Sequence, residues 1–404
     1  MRKINVRDFK LATRSTSRDI NRQIALNLVR EHQPISRADL ARRMNVGRGR
    51  ITALVNELLV EGSILEGDTV DAPRGRKPKM LMVRTRDRLV VAIDIRFSRT
   101  YVMLSDFAGT QIALEMFDTE TDPEKLSEEL AGRVERLLRT YAADGSCEGI
   151  GLVVPGMVDQ RTGIVLNAPQ VGWRDVDIRG TLERATGLPV HVEAAPIACA
   201  LAQMWLGERG TDSGDFVYVT VSDGVGAGVV VNGQVLRGAG YTAGEFGHIP
   251  VQTDGAPCLC GSRGCWEAYT SNIATLSRYL GHDLSDAELR ARLRQTALTV
   301  PDLITRARTG DAAARAAIDE TGRYLGMGLT MIVNGVNPSR IFVGGEITAA
   351  WDMIEPSVRA AVRGRALTSM AAATPIIPEP VGYPRLRGAA ALVAAPTFAA
   401  PVVA

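Results

Sequence analysis

Residues 257–267 read Pro257-Cys258-Leu259-Cys260-Gly261-Ser262-Arg263-Gly264-Cys265-Trp266-Glu267, and His248 lies ten residues before Cys258. Three of the five cysteines fall within eight positions, with Gly261 and Gly264 between them to let the backbone turn. Three thiolates and one imidazole make a closed tetrahedral zinc site. His248, Cys258, Cys260 and Cys265 are the expected ligands, and the zinc is expected to be structural because no position is left for water. The competing reading is three buried or disulfide-bonded cysteines. A disulfide would leave an odd thiol here, and nothing in the sequence marks a secreted chain.

The surrounding composition sets the class. A chain of 404 residues, 46% hydrophobic and 23% charged, is long enough for two or three domains with sizeable cores. It contains no run of 18 apolar residues, so no membrane span is expected. The opening residues Met1 to Asp8 are polar and lack the apolar core of a signal peptide. With thiols that must stay reduced, this places the chain in the cytoplasm. Cys147 and Cys199 sit in apolar segments and read as packing residues. The net charge of +2 hides an asymmetry: residues 1–88 carry 20 Lys and Arg against 10 Asp and Glu, and the remainder carries 27 against 35. A basic head on an acidic body points to a polyanionic partner for the head.

That head, residues 23–84, reads as a winged helix-turn-helix preceded by a basic arm over residues 1–22, which is open between a flexible segment and a further helix. Ile24, Leu28, Ile35, Leu40 and Met44 recur at helical spacing. Ser36 is placed to cap a helix that Asp39 favours at its positive end. After the turn Asn45-Val46-Gly47, a second helix is expected from about Arg48 to Glu61, with Ile51, Leu54, Val55 and Leu58 as its buried stripe. Gly49, Ala53 and Asn56 face away, flanked by Arg48, Arg50 and Thr52. Small outward residues let a helix sit deep in the major groove, and the arginines reach phosphates or guanine edges. Residues 64–66 and 79–83 read as strands around a loop containing Arg74, Arg76 and Lys77. Arg-Gly-Arg between prolines suits an A·T-rich minor groove.

From Leu89 the pattern changes to strands at 89–95, 100–106 and 112–117, a helix at 123–142, and strands at 150–154 and 189–193. A second set opens at 216–221. Two similar sets suggest two similar lobes.

Gly244-Glu245-Phe246-Gly247-His248 followed by the cysteine loop resembles the signature of the ROK family (repressors, open reading frames and sugar kinases), over roughly residues 89–395. The resemblance implies an α/β chain: a winged helix-turn-helix, then a two-lobed actin-like (sugar kinase/Hsp70) ATPase fold with a structural zinc site. Lobe 1 would span 89–195, completed by 383–404, where Gly388-Ala389-Ala390-Ala391 resembles the helix that packs back on it. Lobe 2 would span 196–382. The head is similar to the winged helix-turn-helix of ROK repressors, with Gly47 where the family has a Ser or Thr cap. Asn167, Glu245, His248 and Glu267 match positions that border or bond the sugar.

Four segments depart from the kinase pattern. Asp-x-Gly-Gly-Thr reads Asp94-Ile95-Arg96-Phe97-Ser98, and Gly-Thr-Gly-x-Gly reads Ser222-Asp223-Gly224-Val225-Gly226. Gly-Gly-Gly reads Gly344-Gly345-Glu346, and Glu-Asn-Asp-x-Asn reads Glu193-Ala194-Ala195-Pro196-Ile197. Ala195 stands where the general base belongs, so no kinase activity and no ATP are expected. The resemblance implies a homodimeric or homotetrameric regulator, a repressor with activator as the open alternative, bound to a palindromic operator with A·T-rich flanks. The cleft is open between an altered sugar-like effector and a relic. The rival readings are a sugar kinase with an appended head and a regulator controlled by a protein partner.

Overall fold

The computed structural model describes residues 14–69, 78–141, 143, 145–207, 214–281, 298–380 and 382–399. The first unit runs α1 (Arg14–His32), β1 (Ile35–Ser36), α2 (Arg37–Met44), α3 (Arg48–Val60), β2 (Ile64–Thr69) and β3 (Lys79–Val83). Ser36 Oγ accepts from the Asp39 N–H at 3.1 Å and caps α2. Gly47 begins α3 with no side-chain cap. The three strands form an antiparallel sheet in the order β1-β3-β2. Leu40, Ile51, Leu54, Val55, Leu58 and Leu81 close the core of this unit.

Two expectations change here. α1 begins at Arg14, so the boundary drawn at residue 22 falls inside a helix; residues 1–13 lie outside the described residues. Ile24, expected in the core, is 45% exposed, and α1 buries Ala25, Leu26 and Val29 instead. The helix is packed against α3 on one side and the last helix of the chain on the other, which rotates its buried stripe away from Ile24.

The body holds two five-stranded sheets of the same plan. The first, in the order β11-β7-β4-β5-β6, joins β4 (Arg88–Ile95), β5 (Arg99–Asp106), β6 (Gln111–Asp118), β7 (Ser146–Val154) and β11 (Val190–Ala194). β4, β5 and β6 are antiparallel neighbours, while β4–β7 and β7–β11 are parallel. The second sheet, β14-β13-β12-β15-β16, repeats this with β12 (Phe216–Val221), β13 (Val225–Val231), β14 (Gln234–Val235), β15 (Arg340–Gly344) and β16 (Ile376–Pro378). All six residues of β12 are buried, as a parallel-paired central strand requires. A small sheet of β8 (Met157–Val158), β9 (Val165–Ala168) and β10 (Trp173–Val176) was not anticipated, because strands this short carry too little alternation to read.

Helices cover the sheets: α4 (Pro123–Thr140), α5 (Ile178–Thr186), α6 (Ala195–Leu206), α7 (Glu267–Thr270), α8 (Asn272–Leu280), α9 (Val300–Arg308), α10 (Ala312–Val336), α11 (Trp351–Arg365), α12 (Ser369–Ala372) and α13 (Pro384–Phe398). α13 returns to the first sheet, where a Cβ on Gly388 would come within 2.7 Å of the Ala198 backbone in α6. α6 packs on α13 through Ala195 and Ala198, and on the second lobe through Cys199 and Ala200, which meet Phe216 and Tyr218. It therefore joins the lobes. No described helix is long and apolar enough to cross a membrane.

Head and first lobe share one apolar core, which includes Ala25, Val29, Phe107, Leu392 and Phe398. At its edge the Arg30 guanidinium lies 4.9 Å from the Trp205 ring centroid and 5.1 Å from that of Phe398. Arg30 also donates to the Trp205 carbonyl at 3.2 Å. Gln23 and Asn27 donate to the Thr397 and Phe398 carbonyls.

Candidate functional site

The loop after β14 is built by close backbone approaches. A Cβ on Gly247 would fall 1.9 Å from the Val225 carbonyl oxygen, so only glycine lets the short 3₁₀ turn Phe246–His248 lie against β13. That turn presents His248 to the cysteine loop. The ligand atoms of His248, Cys258, Cys260 and Cys265 all lie within 4.8 Å of one another. Cys260 Sγ and Cys265 Sγ are 3.8 Å apart, and Cys258 Sγ is 3.7 Å from His248 Nδ1. Two thiolates each about 2.3 Å from one tetrahedral ion would lie about 3.8 Å apart, so the four groups fit a single small metal ion. Burial pushes the Cys258 and Cys265 thiols up, and a bound cation would offset that cost to their thiolates.

His248 joins this cluster to the cleft between the lobes. With Nδ1 toward Cys258, its Nε2 lies 3.8 Å from Glu245 Oε2. Glu267, at the start of α7, is buried; its Oε2 accepts from the Val225 N–H at 2.9 Å. Burial pushes Glu267 up to about 7 and raises Glu245 as well, where His248 opposes the rise and Glu267 adds to it. The cleft encloses about 140 Å³. Asn167, Glu245, His248 and Glu267, all expected from sequence, line it together. The lining also has an apolar part: Val154, Pro155, Met157, Ala194, Ala195 and Pro196.

Beyond this pocket the residues that depart from the kinase pattern meet one another. Arg96, in the β4–β5 turn, bonds Asp94 of its own lobe at 2.7 Å and Glu346 of the second lobe at 2.8 Å. The Phe97 N–H donates across the cleft to Asp223 at 3.3 Å. Arg385 of α13 holds the fully buried Asp94 from the other side at 2.7 Å and donates to the Ile95 carbonyl. Asn272 orients Glu346 by donating at 2.9 Å. Burial pushes the Asp223 carboxyl up, and neighbouring Glu346 adds to that rise. A second inter-lobe pair, Arg237–Glu193 at 2.6 Å, lies beside the pocket wall, and Arg237 also donates to Gln160. Sequence reading treated Arg96, Asp223 and Glu346 as separate obstacles. The opposite signs of Arg96 and Glu346 were the available signal that those two pair.

In the head, Arg48, Gly49, Arg50, Thr52, Ala53 and Asn56 are all exposed on one side of α3. Thr52 Oγ1 donates to the Arg48 carbonyl, and Asn56 Oδ1 accepts from Arg37. Arg74, Arg76 and Lys77 lie outside the described residues.

The xylose repressor of Bacillus subtilis (strain 168) is 27% identical over 374 residues, spanning 92% of this chain and 94% of that protein. The crystal structure of a ROK family transcriptional regulator, a homologue of the E. coli MLC protein, superposes with a TM-score of 0.78 at 26% identity and covers 95% of this chain and 97% of its own. A ROK family glucokinase from Streptomyces griseus, in complex with glucose and AMPPNP, superposes with a TM-score of 0.64 at 27% identity and covers 98% of its own length but 75% of this chain. The two regulators therefore match head and body together, whereas the kinase leaves a quarter of the chain unmatched. The ROK family itself matches residues 90–395, from the first strand of lobe 1 to the helix that returns to it, and on that match the chain belongs to the ROK family.

Proposed function

We propose that this chain is a sugar-responsive, DNA-binding transcriptional repressor of carbohydrate-related genes, whose kinase-like body binds an effector without phosphorylating it. The observation that carries this reading is the continuous match of head and body to a protein named as a repressor and to one named as a transcriptional regulator, on a head whose exposed helix face is basic and small. Residues 23–84, extended by the start of α1, act as a winged helix-turn-helix. α3 enters the major groove with Arg48, Arg50, Thr52 and Asn56, and Arg74, Arg76 and Lys77 reach the flanking minor groove. Residues 89–195 with 383–404 form one lobe and 196–382 the other. Two heads of a homo-oligomer read the half-sites of a palindromic operator in the cytoplasm.

The metal is zinc, held by His248, Cys258, Cys260 and Cys265. Its role is to keep His248 facing the pocket, as a metal-bound imidazole fixes its own ring plane. Catalysis is absent because Ala195 has no atom that accepts a proton, a loss of typically 10²–10⁴-fold from general-base chemistry alone. The phosphate position is filled by Arg96, Asp223 and Glu346.

Effector binding reaches the head through α6, which starts at the pocket wall and ends at Trp205 against Arg30 of α1. The effector acts by binding one lobe arrangement more tightly than another.

The test is a polarisation assay with the DNA upstream of the chain's own gene at moderate salt. Saturable binding that a sugar releases is expected. Absence of binding removes the regulator reading, and sugar-dependent ADP release would replace it with the kinase reading.

A further inference from the structure

The pocket has an apolar stretch in its lining, and most of the charges beyond it are paired with one another. Thr220, Ser222 and Arg385 line both the effector cleft and a smaller cavity of about 40 Å³ that also touches Arg96, Gly344, Gly345 and Glu346. A phosphate carried by a ligand in the cleft would point into this second cavity. Phosphate sites need unoccupied guanidinium groups or backbone N–H donors. Here the Arg96 guanidinium is committed to Asp94 and Glu346, and one terminal nitrogen of Arg385 to Asp94 and the Ile95 carbonyl, while Arg385 Nε and Ser222 Oγ are buried without a hydrogen-bond partner. The Phe97 N–H is spent on Asp223. Glu346 would face the incoming charge in the smaller cavity, and Glu245 and Glu267 line its approach. His248 is turned toward Glu245 on one edge and Cys258 on the other.

The lining is mixed. Glu245, His248 and Glu267 of the second lobe offer hydrogen-bonding partners, as do Asn167 and Gln170 of the first, with Asn167 paired to Met157 across β8 and β9. Between them Ala194, Ala195, Pro196 and Met157 offer none from their side chains. A hydroxyl turned toward that wall would lose its water without regaining a bond from the side chains there. A volume of about 140 Å³ is well above what a single water needs and leaves room for a small-molecule ligand.

We infer that the effector is an uncharged sugar that lays an apolar face or substituent on the Ala194–Ala195–Met157 wall, and that Arg96, Asp223 and Glu346 exclude sugar phosphates and nucleotides. This rests on the reading of the cleft as a sugar-effector site. Arg96, Asp223 and Glu346 are thereby specificity determinants: Arg96 and Glu346 close the phosphate position with an ion pair, and Asp223 takes up the Phe97 N–H.

The test is thermal shift followed by calorimetric titration of the zinc-loaded full chain. The probes are glucose, xylose and N-acetylglucosamine, the methyl and phenyl glycosides of glucose and xylose, the 6-phosphates of glucose and N-acetylglucosamine, and AMPPNP. At least one uncharged, substituted or less hydroxylated probe is expected to raise Tm by several degrees and to bind at least tenfold more tightly than glucose. Each 6-phosphate is expected to bind at least 100-fold more weakly than its parent, and AMPPNP not at all. A 6-phosphate that equals or exceeds its parent overturns the inference while leaving the sugar-effector reading intact, and so does glucose binding tightest. Silence from every sugar overturns both.

Two variants report on the walls. Ala195→Asp is expected to weaken the preferred probe tenfold or more with less effect on glucose; equal loss of both would mean the apolar substituent lies elsewhere. The triple variant Arg96→Gly/Asp223→Thr/Glu346→Gly is expected to narrow the gap between each phosphate and its parent by at least tenfold. An unchanged gap in a variant that melts cooperatively would show that those three residues do not set it.

Discussion

Glu346→Gln isolates the ion pair that ties the lobes together. The substitution keeps the shape of the side chain and leaves an oxygen for Asn272, but removes the charge that faces Arg96. The pair is 2.8 Å long, with 13% and 25% of the two side chains exposed. Charge centres about 4 Å apart at an effective dielectric near 20 attract by about 4 kcal/mol before desolvation. Desolvation and the hydrogen bond that glutamine retains reduce the measurable loss to about 1–3 kcal/mol. Combined with Arg96→Gln in a double-mutant cycle, the coupling should be about 1–2 kcal/mol. The internal reference is Arg99–Asp118 at 3.1 Å, whose side chains are 51% and 87% exposed; surface pairs of that kind couple by about 0–1 kcal/mol. Urea unfolding of the four zinc-loaded proteins measures the cycle. Coupling below about 0.3 kcal/mol between residues 96 and 346 would refute the claim that this pair holds the lobes together.

Three further outcomes are expected. Cys260→Ser should release the metal and loosen the second lobe, because one of four ligands is lost; an unchanged metal-to-protein ratio by plasma emission would refute the ligand assignment. Arg30→Ala removes two ring contacts and a bond to the Trp205 carbonyl, so the joint between head and body should weaken by about 1–3 kcal/mol and the head should melt earlier by calorimetry. A single unshifted transition would mean the apolar core alone sets the joint. Burial raises the Asp223 carboxyl in the folded chain, so the folded state favours its protonated form. Its contribution is full below the ordinary carboxylate range and is lost as pH rises through the raised value. Asp223→Asn should therefore be relatively more stable than the parent on the neutral side than on the acid side, and parallel pH–stability curves would contradict this.

Local chemistry was legible in the sequence. The spacing of Cys258, Cys260 and Cys265 announced a metal loop, and the structure brings their sulfurs and the His248 ring together. Ser36 caps α2 as its position suggested, and the stripe Ile51, Leu54, Val55, Leu58 is buried with the small and basic residues outward. Such features depend on residues within a turn or two of each other, where the backbone period alone decides who faces whom. Asn167, Glu245 and Glu267 were reached by resemblance, since no local period links β9 to α7.

What only the tertiary structure decided are the partnerships of charges and the facing of helices packed on two sides. Arg96 and Glu346 are 250 residues apart, and Arg30 and the Trp205 carbonyl are 175 apart. Forty-seven cationic and forty-five acidic residues leave far more possible pairs than real ones, and only the closing of one lobe on the other selects them. Ile24 was misplaced for the same reason: an apolar period shows that a helix has a buried side, but α13, 370 residues away, determines where that side lies on α1.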